Sequence, residues 1–330
     1  MATLKLTARF SQLDDWAGRL FDAEDGVTIT TRSATSLQFR YGPDHSFSGY
    51  TVKVSGTGFK WQDGRATEGK MASVTVLDGA GKTVVTLTGL ANGPARARDL
   101  DQFFVNVFGA QNEFGNGPSP NGSVAWSYLL AGNDVISGTS GNDWQGIPGL
   151  NAGSNRYNMK GGDDYVTPGA GADTIRGGAG FDEVSYMETT YDVGMSATQG
   201  VRVNVTRGTI IDAWGQTDRI FDVESFRGTR FADTFLGSDA DEQFTGGRGA
   251  DTINGGGGRD RVRYGGEENQ GGLFGIVADL ETGRSGGQIV GKARDTFGNT
   301  DRLVSIEDIR GTNGADKITG SSQDNQISGE

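Results

Sequence analysis

The chain of 330 residues contains no cysteine and one histidine, His45. Without cysteine there is no disulfide, no thiol nucleophile and no thiolate metal site. A Ser-His-Asp relay would have to recruit His45, which lies in the polar, turn-like stretch Gly42-Pro-Asp-His-Ser and reads as an exposed loop residue. The His-Glu-x-x-His zinc motif needs two histidines and is missing. Hydrophobic residues are scarce, at 34%. No apolar run approaches ~18 residues, so no membrane insertion by a helix is expected. The N-terminus, Met1-Ala-Thr-Leu-Lys-Leu, lacks the apolar core of a secretory signal peptide. Positive charge is short as well: 30 Lys and Arg face 42 Asp and Glu, a net charge of −12. That balance argues against nucleic acid as a partner.

What is present in excess is glycine, 56 residues, about 17% of the chain against a usual ~7%. The acids are 30 Asp and 12 Glu. Asp competes with the helical backbone and prefers turns, so a helical bundle is disfavoured. No stretch alternates apolar strands with long amphipathic helices, which disfavours a doubly wound α/β enzyme. Residues 1–125 hold 12 acids and 12 bases, whereas residues 126–330 hold 30 acids and 18 bases, the whole net charge. Glycine divides in the same sense, 16 against 40. A boundary is therefore expected near residue 125, beside the turn-rich Gly115-Asn-Gly-Pro-Ser-Pro-Asn-Gly122.

The first region, 1–125, is expected to be a β-sandwich-like domain. Short alternating runs rich in Val, Thr and aromatics cover 4–10, 27–32, 37–41, 50–54, 74–77, 83–87 and 103–108. Asp78-Gly-Ala-Gly-Lys82 between two of them signals a hairpin. Residues 12–21 alone look weakly helical. Trp16, Trp61 and Trp126 could form a sugar-stacking platform, although core or edge packing is the commoner use of such residues.

The second region, 126–330, repeats itself. Ala172-Asp-Thr-Ile-Arg-Gly-Gly-Ala-Gly-Phe-Asp182 matches Ala250-Asp-Thr-Ile-Asn-Gly-Gly-Gly-Gly-Arg-Asp260 at an offset of 78, which persists to Tyr186 and Tyr264. Trp214-Gly-Gln-Thr-Asp218 matches Phe297-Gly-Asn-Thr-Asp301 at 83. A module spanning about 160–235 has thus been duplicated as 240–330. Within each copy runs a period of nine. Acids recur in phase at Asp134 and Asp143; at Asp164, Asp173 and Asp182; at Glu224, Asp233, Glu242, Asp251 and Asp260; and at Glu307 and Asp316, with Asn325 next. Two residues after each acid comes an apolar side chain, such as Ile175, Val184, Phe235, Phe244, Ile253 or Val262, the single exception being Gln145, where Trp144 sits one place early. The best copies place Gly-Gly-x-Gly-x before the acid, at 177–181 and 246–250.

Nine residues accommodate a glycine turn and a short strand, so two units make a coil of 18 and acids 18 apart share an edge. The same-edge pairs are Asp164 with Asp182, Asp233 with Asp251, and Glu242 with Asp260. One apolar residue per unit contributes about 1.5–3 kcal/mol on burial, against roughly 10 kcal/mol of backbone entropy for nine residues. Stacked carboxylates add repulsion, so a cation is required between turns. Carboxylates plus turn carbonyls form an all-oxygen, adaptable shell that suits Ca²⁺ better than Zn²⁺, Cu²⁺ or Mg²⁺. The candidate ligands are Asp134, Asp143, Asp164, Asp173, Asp182, Asp233, Glu242, Asp251, Asp260 and Asp316, with the backbone carbonyls of Gly178, Gly180, Gly247, Gly249, Gly256 and Gly258. Several ions are expected. Residues 187–221 and 265–303 interrupt the phase and read as hairpins or longer coils. Their recurring Asn204/Asp279 and Asp218/Asp301 could be ligands or turn-formers. Asp295 lies outside the phase, and its replacement is expected to be nearly silent.

Gly-Gly-x-Gly-x-Asp-x-apolar-x resembles the repeat of the RTX (hemolysin-type) calcium-binding proteins, over about 130–190 and 220–330. The resemblance implies a parallel β-roll, calcium-driven folding outside the cell and type I export from a Gram-negative bacterium. That route needs no N-terminal signal. In the family the secretion signal follows the repeats, so a chain that stops at Ile327-Ser-Gly-Glu330 is expected to be part of a longer protein or to be closed by another molecule. With no catalytic motif recognised, the expected role is non-enzymatic: a calcium-binding structural or adhesive protein of the cell surface or matrix, with self-association or a surface glycan as partner. The alternative is a calcium-stabilised accessory or carbohydrate-binding fragment of an extracellular polysaccharide-acting enzyme.

Overall fold

The computed structural model describes residues 3–6, 27–43, 47–62, 65–90, 133–145, 153–187, 197–266, 271–272 and 275–329. The described residues are all β, without a helix. The composition boundary near residue 125, the weakly helical 12–21, the run 103–108, His45, Trp16 and Trp126 lie outside them. The chain divides into two compact units: residues 1–169 with 178–180, and residues 170–177 with 181–330.

In the first unit, β1 (Thr3–Leu6), β2 (Val27–Arg32), β3 (Ser36–Tyr41), β4 (Thr51–Gln62), β5 (Arg65–Leu77) and β6 (Thr83–Thr88) form an antiparallel sheet. Its order is β2-β3-β4-β5-β6-β1. The buried face carries Leu37, Phe39, Val52, Val54, Val74, Val76, Val85 and Leu87, the alternate positions that a period of two selects. The expected hairpin forms. Asp78 accepts hydrogen bonds from the amides of Ala80 at 3.0 Å and Lys82 at 2.8 Å. Strands β4 and β5 are longer than the alternating runs suggest, at 12 and 13 residues. Gly56 and Gly69 look like breakers in the sequence. In the fold the Phe59 ring lies over both, and a Cβ at either would come within 2.6 Å of that ring. The aromatic supplies the packing that a glycine strand lacks, and bulges absorb the mismatch. Trp61 donates to the Ser33 carbonyl at 2.9 Å, the edge-packing use of such a residue. Beyond the antiparallel sheet, β1 pairs in parallel with β7 (Val135–Ser137), which pairs in parallel with β9 (Arg156–Gly161). β8 (Trp144–Gln145) pairs with β10 (Tyr165–Val166).

The second unit is a parallel β-roll. Short strands alternate between two sheets. The first sheet takes β11 (Thr174–Ala179), β17 (Thr234–Leu236), β19 (Thr252–Asn254) and β25 (Lys317–Thr319). The second takes β12 (Glu183–Ser185), β16 (Ser225–Arg227), β18 (Gln243–Thr245), β20 (Arg261–Arg263), β24 (Asp308–Arg310) and β26 (Ile327–Ser328). Thr234 pairs with Thr252, and Gln243 with Arg261, which is the 18-residue coil. The in-phase apolar residues Ile175, Val184, Phe226, Phe235, Phe244, Ile253, Val262 and Ile309 are buried between the sheets. Phe226 and Phe244 stack with ring centroids 6.1 Å apart, and Phe235 packs on Phe244 at 5.6 Å.

The two interruptions are built into the first sheet. β13 (Arg202–Asn204), β14 (Thr209–Ile211) and β15 (Thr217–Phe221) form an antiparallel meander whose ends pair in parallel with β17 and β11. β21 (Val277–Ser285), β22 (Gln288–Arg294) and β23 (Thr300–Val304) do the same between β25 and β19. The duplication read from the sequence is therefore a duplication of this five-strand arrangement. Even a left-handed backbone position recurs, at Asp222 (φ 53°) and Ser305 (φ 47°).

Phe244 touches aromatic rings on both sides of the thin core. Phe244→Ala is expected to lower stability in saturating calcium by about 3–5 kcal/mol, measured by chemical denaturation. A loss below 1 kcal/mol would mean that the stack is not the core of the roll.

Candidate metal centre

The in-phase acids are turned inward. Asp134, Asp143, Asp164, Asp173, Asp182, Asp233, Glu242, Asp251 and Asp260 are buried, while Asp316 is half-buried. Several stand in columns, a side-chain oxygen of one residue accepting the amide at the equivalent position one coil away. In the first unit the Asp143 amide donates to Asp164 at 2.6 Å, and the Asp134 amide to Asn155 at 2.8 Å. In the second unit Asp233 donates to Asp251 at 2.8 Å and Glu242 to Asp260 at 2.9 Å, the same-edge pairs expected from the spacing. Across the interruptions the columns continue through acids outside the candidate set. Asp173 donates to Asp218 at 2.7 Å, Asp251 to Asp301 at 2.9 Å, Asp182 to Glu224 at 2.9 Å and Asp260 to Glu307 at 2.9 Å.

The other carboxylate oxygen separates two kinds of turn. In Gly-Thr or Gly-Ser turns it is capped from within. The amide of Thr229 donates to Asp233 Oδ2 at 2.7 Å, that of Ser238 to Glu242 Oε2 at 3.0 Å, and that of Thr312 to Asp316 Oδ2 at 2.7 Å. Thr139 does the same for Asp143 at 2.5 Å. The hydroxyls of these four residues bond the same carboxylates. In the Gly-Gly turns the residue four before the acid is a glycine at positive φ, Gly247 (87°) before Asp251 and Gly256 (104°) before Asp260. That conformation is open to glycine and strained for other residues, and no amide caps the acid there. Asp251 Oδ2 and Asp260 Oδ2 are buried with no hydrogen-bond partner, in residues 1% and 0% exposed. A side chain on Gly246 or Gly255 would collide with these oxygens. The remaining candidate glycines, Gly178, Gly180, Gly249 and Gly258, are likewise at positive φ.

Burial, reinforced by Asp301, Asp233 and Asp295, pushes Asp251 up to about 9. Burial, with Glu242 and Glu307 adding to it, pushes Asp260 up to about 8. Burial also holds Asp233, Asp218 and Asp301 up at about 7. A buried acid without a counter-charge resists ionisation; a hard cation would reverse the shift, because its ligands bind as carboxylates. Among the described residues no three His, Cys, Asp or Glu side chains converge as a metal cluster. A cation here would draw on one or two carboxylates and complete its shell from backbone oxygens or water, a composition that fits calcium.

At the interruptions a tyrosine takes part. Tyr264 donates to Asp301 Oδ2 at 2.9 Å, and Tyr186 donates to Asp218 Oδ2. Both tyrosines are buried, and both pairs occupy matching places in the duplicated copies. Asn204 and Asp279 instead cap local amides, those of Arg207 at 2.9 Å and Glu281 at 3.1 Å, and are turn-formers. Asp295 departs from the sequence expectation. It is 1% exposed and holds a tight turn, accepting from the amides of Phe297 at 3.0 Å and Asn299 at 2.6 Å. Asp212 holds the matching turn through Trp214 at 3.0 Å and Gln216 at 2.6 Å. The signal was legible in Asp212-Ala-Trp-Gly-Gln and Asp295-Thr-Phe-Gly-Asn, an acid two residues before an aromatic-Gly turn.

One string spells Gly-x-Ser-x-Gly, Gly283-Arg-Ser-Gly-Gly287, the spacing of a hydrolase nucleophile turn. It forms the tip of the β21–β22 hairpin, where Ser285 pairs with Gln288. That is an antiparallel turn, not the strand-to-helix elbow the chemistry requires.

Comparison with protein-family models matches the RTX calcium-binding nonapeptide repeat at residues 128–144, 151–184, 236–270 and 305–330. Four copies of the RTX repeat thus lie across residues 128–330. The RTX repeat binds calcium, and the matched stretches contain the open turns of Asp251 and Asp260. They stop short of both meanders. No curated protein matches the chain.

Three outcomes follow from the two turn types. Asp251→Asn is expected to lower the calcium stoichiometry by at least one ion in calorimetric titration, whereas Asp233→Asn leaves it unchanged. Asp295→Ala strands buried amides and is expected to cost about 1–3 kcal/mol in denaturant unfolding at saturating calcium; wild-type stability would show the turn to be dispensable. For pH the sign is set by the raised values of Asp251 and Asp260. Without calcium the folded chain binds more protons than the unfolded one between pH ~4 and ~8, so its stability falls as pH rises through that window. In chelator, the far-ultraviolet circular dichroism of β structure is expected to grow on lowering pH from 8 to 5, and a flat or opposite response contradicts the buried-acid account.

Proposed function

We propose that the chain is a secreted, calcium-binding structural or adhesive protein of the bacterial cell surface or matrix, non-enzymatic, folding and assembling as calcium loads. The observation that carries the reading is the pair of buried, uncapped carboxylate oxygens at Asp251 and Asp260, in residues flanked by other buried acids. Without a cation these buried acids are held protonated well above their ordinary range, and a bound cation would relieve that cost. Calcium at the Gly-Gly turns would be held by these carboxylates together with the carbonyls of the turn glycines. At extracellular affinities of about 10⁻⁴–10⁻³ M the roll stays unfolded where calcium is scarce and folds where it is abundant. That asymmetry suits type I export from a Gram-negative cell, since an unfolded chain can be threaded outward and fold on arrival. No helix among the described residues is long and apolar enough to cross a membrane.

The test is a calcium titration of the full chain, followed by circular dichroism and electron microscopy. A largely unfolded 126–330 region in chelator, with β structure and regular assemblies on adding calcium, is the expected result. A full β spectrum in excess chelator at pH 8 would overturn the folding mechanism, and strictly monomeric calcium-loaded protein the assembly.

A further inference from the structure

The outward face of the first sheet in the second unit is basic. Strand residues alternate between buried and exposed, and the exposed positions include Arg176 on β11, Arg219 on β15, Arg202 on β13, Arg302 on β23, Lys292 and Arg294 on β22 and Lys317 on β25. Against these seven bases the outward strand positions carry two acids, Asp279 and Glu281, and Glu281 is engaged by Arg284 and the Ser322 amide. None of the seven bases forms an ion pair among the described residues. The bases are also in register. One lateral row runs Ile211, Arg202, Thr234, Thr252, Arg302, Lys292, Asp279, Thr319 across eight strands. At about 4.8 Å per strand, Arg202 and Arg302 stand roughly 14 Å apart. A second row sets Arg294 beside Val277 and Val277 beside Lys317.

Apolar side chains lie exposed among the bases: Ile211 at 36%, Leu236 at 37%, Phe221 at 38% and Val277 at 48%. Arg176 sits 4.0 Å over the Phe221 ring. A groove of about 600 Å³ is lined by Phe221, Arg207 and Arg219, together with Asp222. Guanidinium groups recognise carboxylate and sulfate in a planar, bidentate fashion, and exposed apolar side chains suit the C–H faces of sugar rings.

We propose that this face binds a linear acidic polysaccharide, its carboxylate or sulfate groups on the arginine and lysine rows and a sugar ring against Phe221 in the groove. Charge complementarity selects the partner class: a polyanion is drawn to a face that gathers seven bases on a chain of net charge −12. The breadth of the face selects an extended polymer. Double-stranded nucleic acid, with one charge per ~1.7 Å, is the competing polyanion. A second copy of the chain carries the same −12. The proposal deepens the adhesive reading above by naming its ligand class, and it is measurable on soluble protein whether or not assemblies form.

The test uses the full calcium-loaded chain with immobilised polygalacturonate, dextran sulfate and neutral dextran. The variant is the triple Arg202→Glu, Arg302→Glu, Lys292→Glu. The control is Lys53→Glu, Lys60→Glu, Lys70→Glu in the first unit, which changes net charge equally. Both must retain the calcium-dependent circular dichroism of the wild type; if the face triple does not, the single Arg302→Glu replaces it. Wild type is expected to bind one or both acidic polymers in a salt-sensitive manner and to ignore dextran. The face variant should bind at least tenfold more weakly, and the control within twofold of wild type. Undiminished binding by the face variant would overturn the proposal and point to calcium bridging between polymer and acid turns. Equal loss in the control would reduce the effect to net charge. Tighter binding of duplex DNA, or a change of oligomeric state in the face variant with no polysaccharide binding by wild type, would reject it in favour of those partners.

Discussion

Everything in the roll depends on stacking like charges in a dry interior. Successive coils set acids at the same place, and an acid of one coil takes the amide of the neighbouring coil with one carboxylate oxygen, as Asp251 takes Asp233 and Asp260 takes Glu242. These bonds fix the register of coil on coil. Burial, with the neighbouring carboxylates adding to it, holds Asp251 and Asp260 far above the ordinary carboxylate range. The apolar ladder of Phe226, Phe244 and Val262 is thin, and on the function proposed above a counter-charge at the open turns would stabilise it.

The protein answers the same demand in three ways. Gly-Thr and Gly-Ser turns close the second oxygen with their own amide and hydroxyl, as at Asp233 and Glu242. The meander junctions close it with a buried tyrosine, as at Asp301 and Asp218. The Gly-Gly turns leave it open at Asp251 and Asp260. Between the capped and the open turns the difference lies in the residue four before the acid. A glycine there adopts positive φ and withholds its amide; Thr or Ser keeps the amide on the carboxylate. On the function proposed above, calcium dependence would be concentrated in the coils of Asp251 and Asp260.

The meanders serve a different purpose from the turns. By entering the first sheet as antiparallel strands they widen it, and their outward positions bring Arg202, Arg219, Lys292, Arg294 and Arg302 onto one face. The acid columns and the basic face are consequences of the same alternation: Asp218 and Asp301 point in, while their neighbours Arg219 and Arg302 point out.

The sequence by itself determined the coil. A period of nine with one acid and one apolar residue in phase admits a single stacking, and the 18-residue register, the buried ladder and the same-edge pairs Asp233/Asp251 and Glu242/Asp260 were all legible in it. The duplication was legible too, down to Tyr186 and Tyr264. Only the tertiary structure decided what lies outside the period. Asp295 carries no phase, yet it is buried because the meander folds its turn inward. Asp218 and Asp301 join the acid columns because parallel pairing with β11 and β19 sets them beside Asp173 and Asp251, 45 and 50 residues away. Gly56 and Gly69 do not break β4 and β5 because Phe59 covers them. In each case the deciding contact spans an interruption or a fold-back that local periodicity does not encode, and long-range pairing alone supplies it.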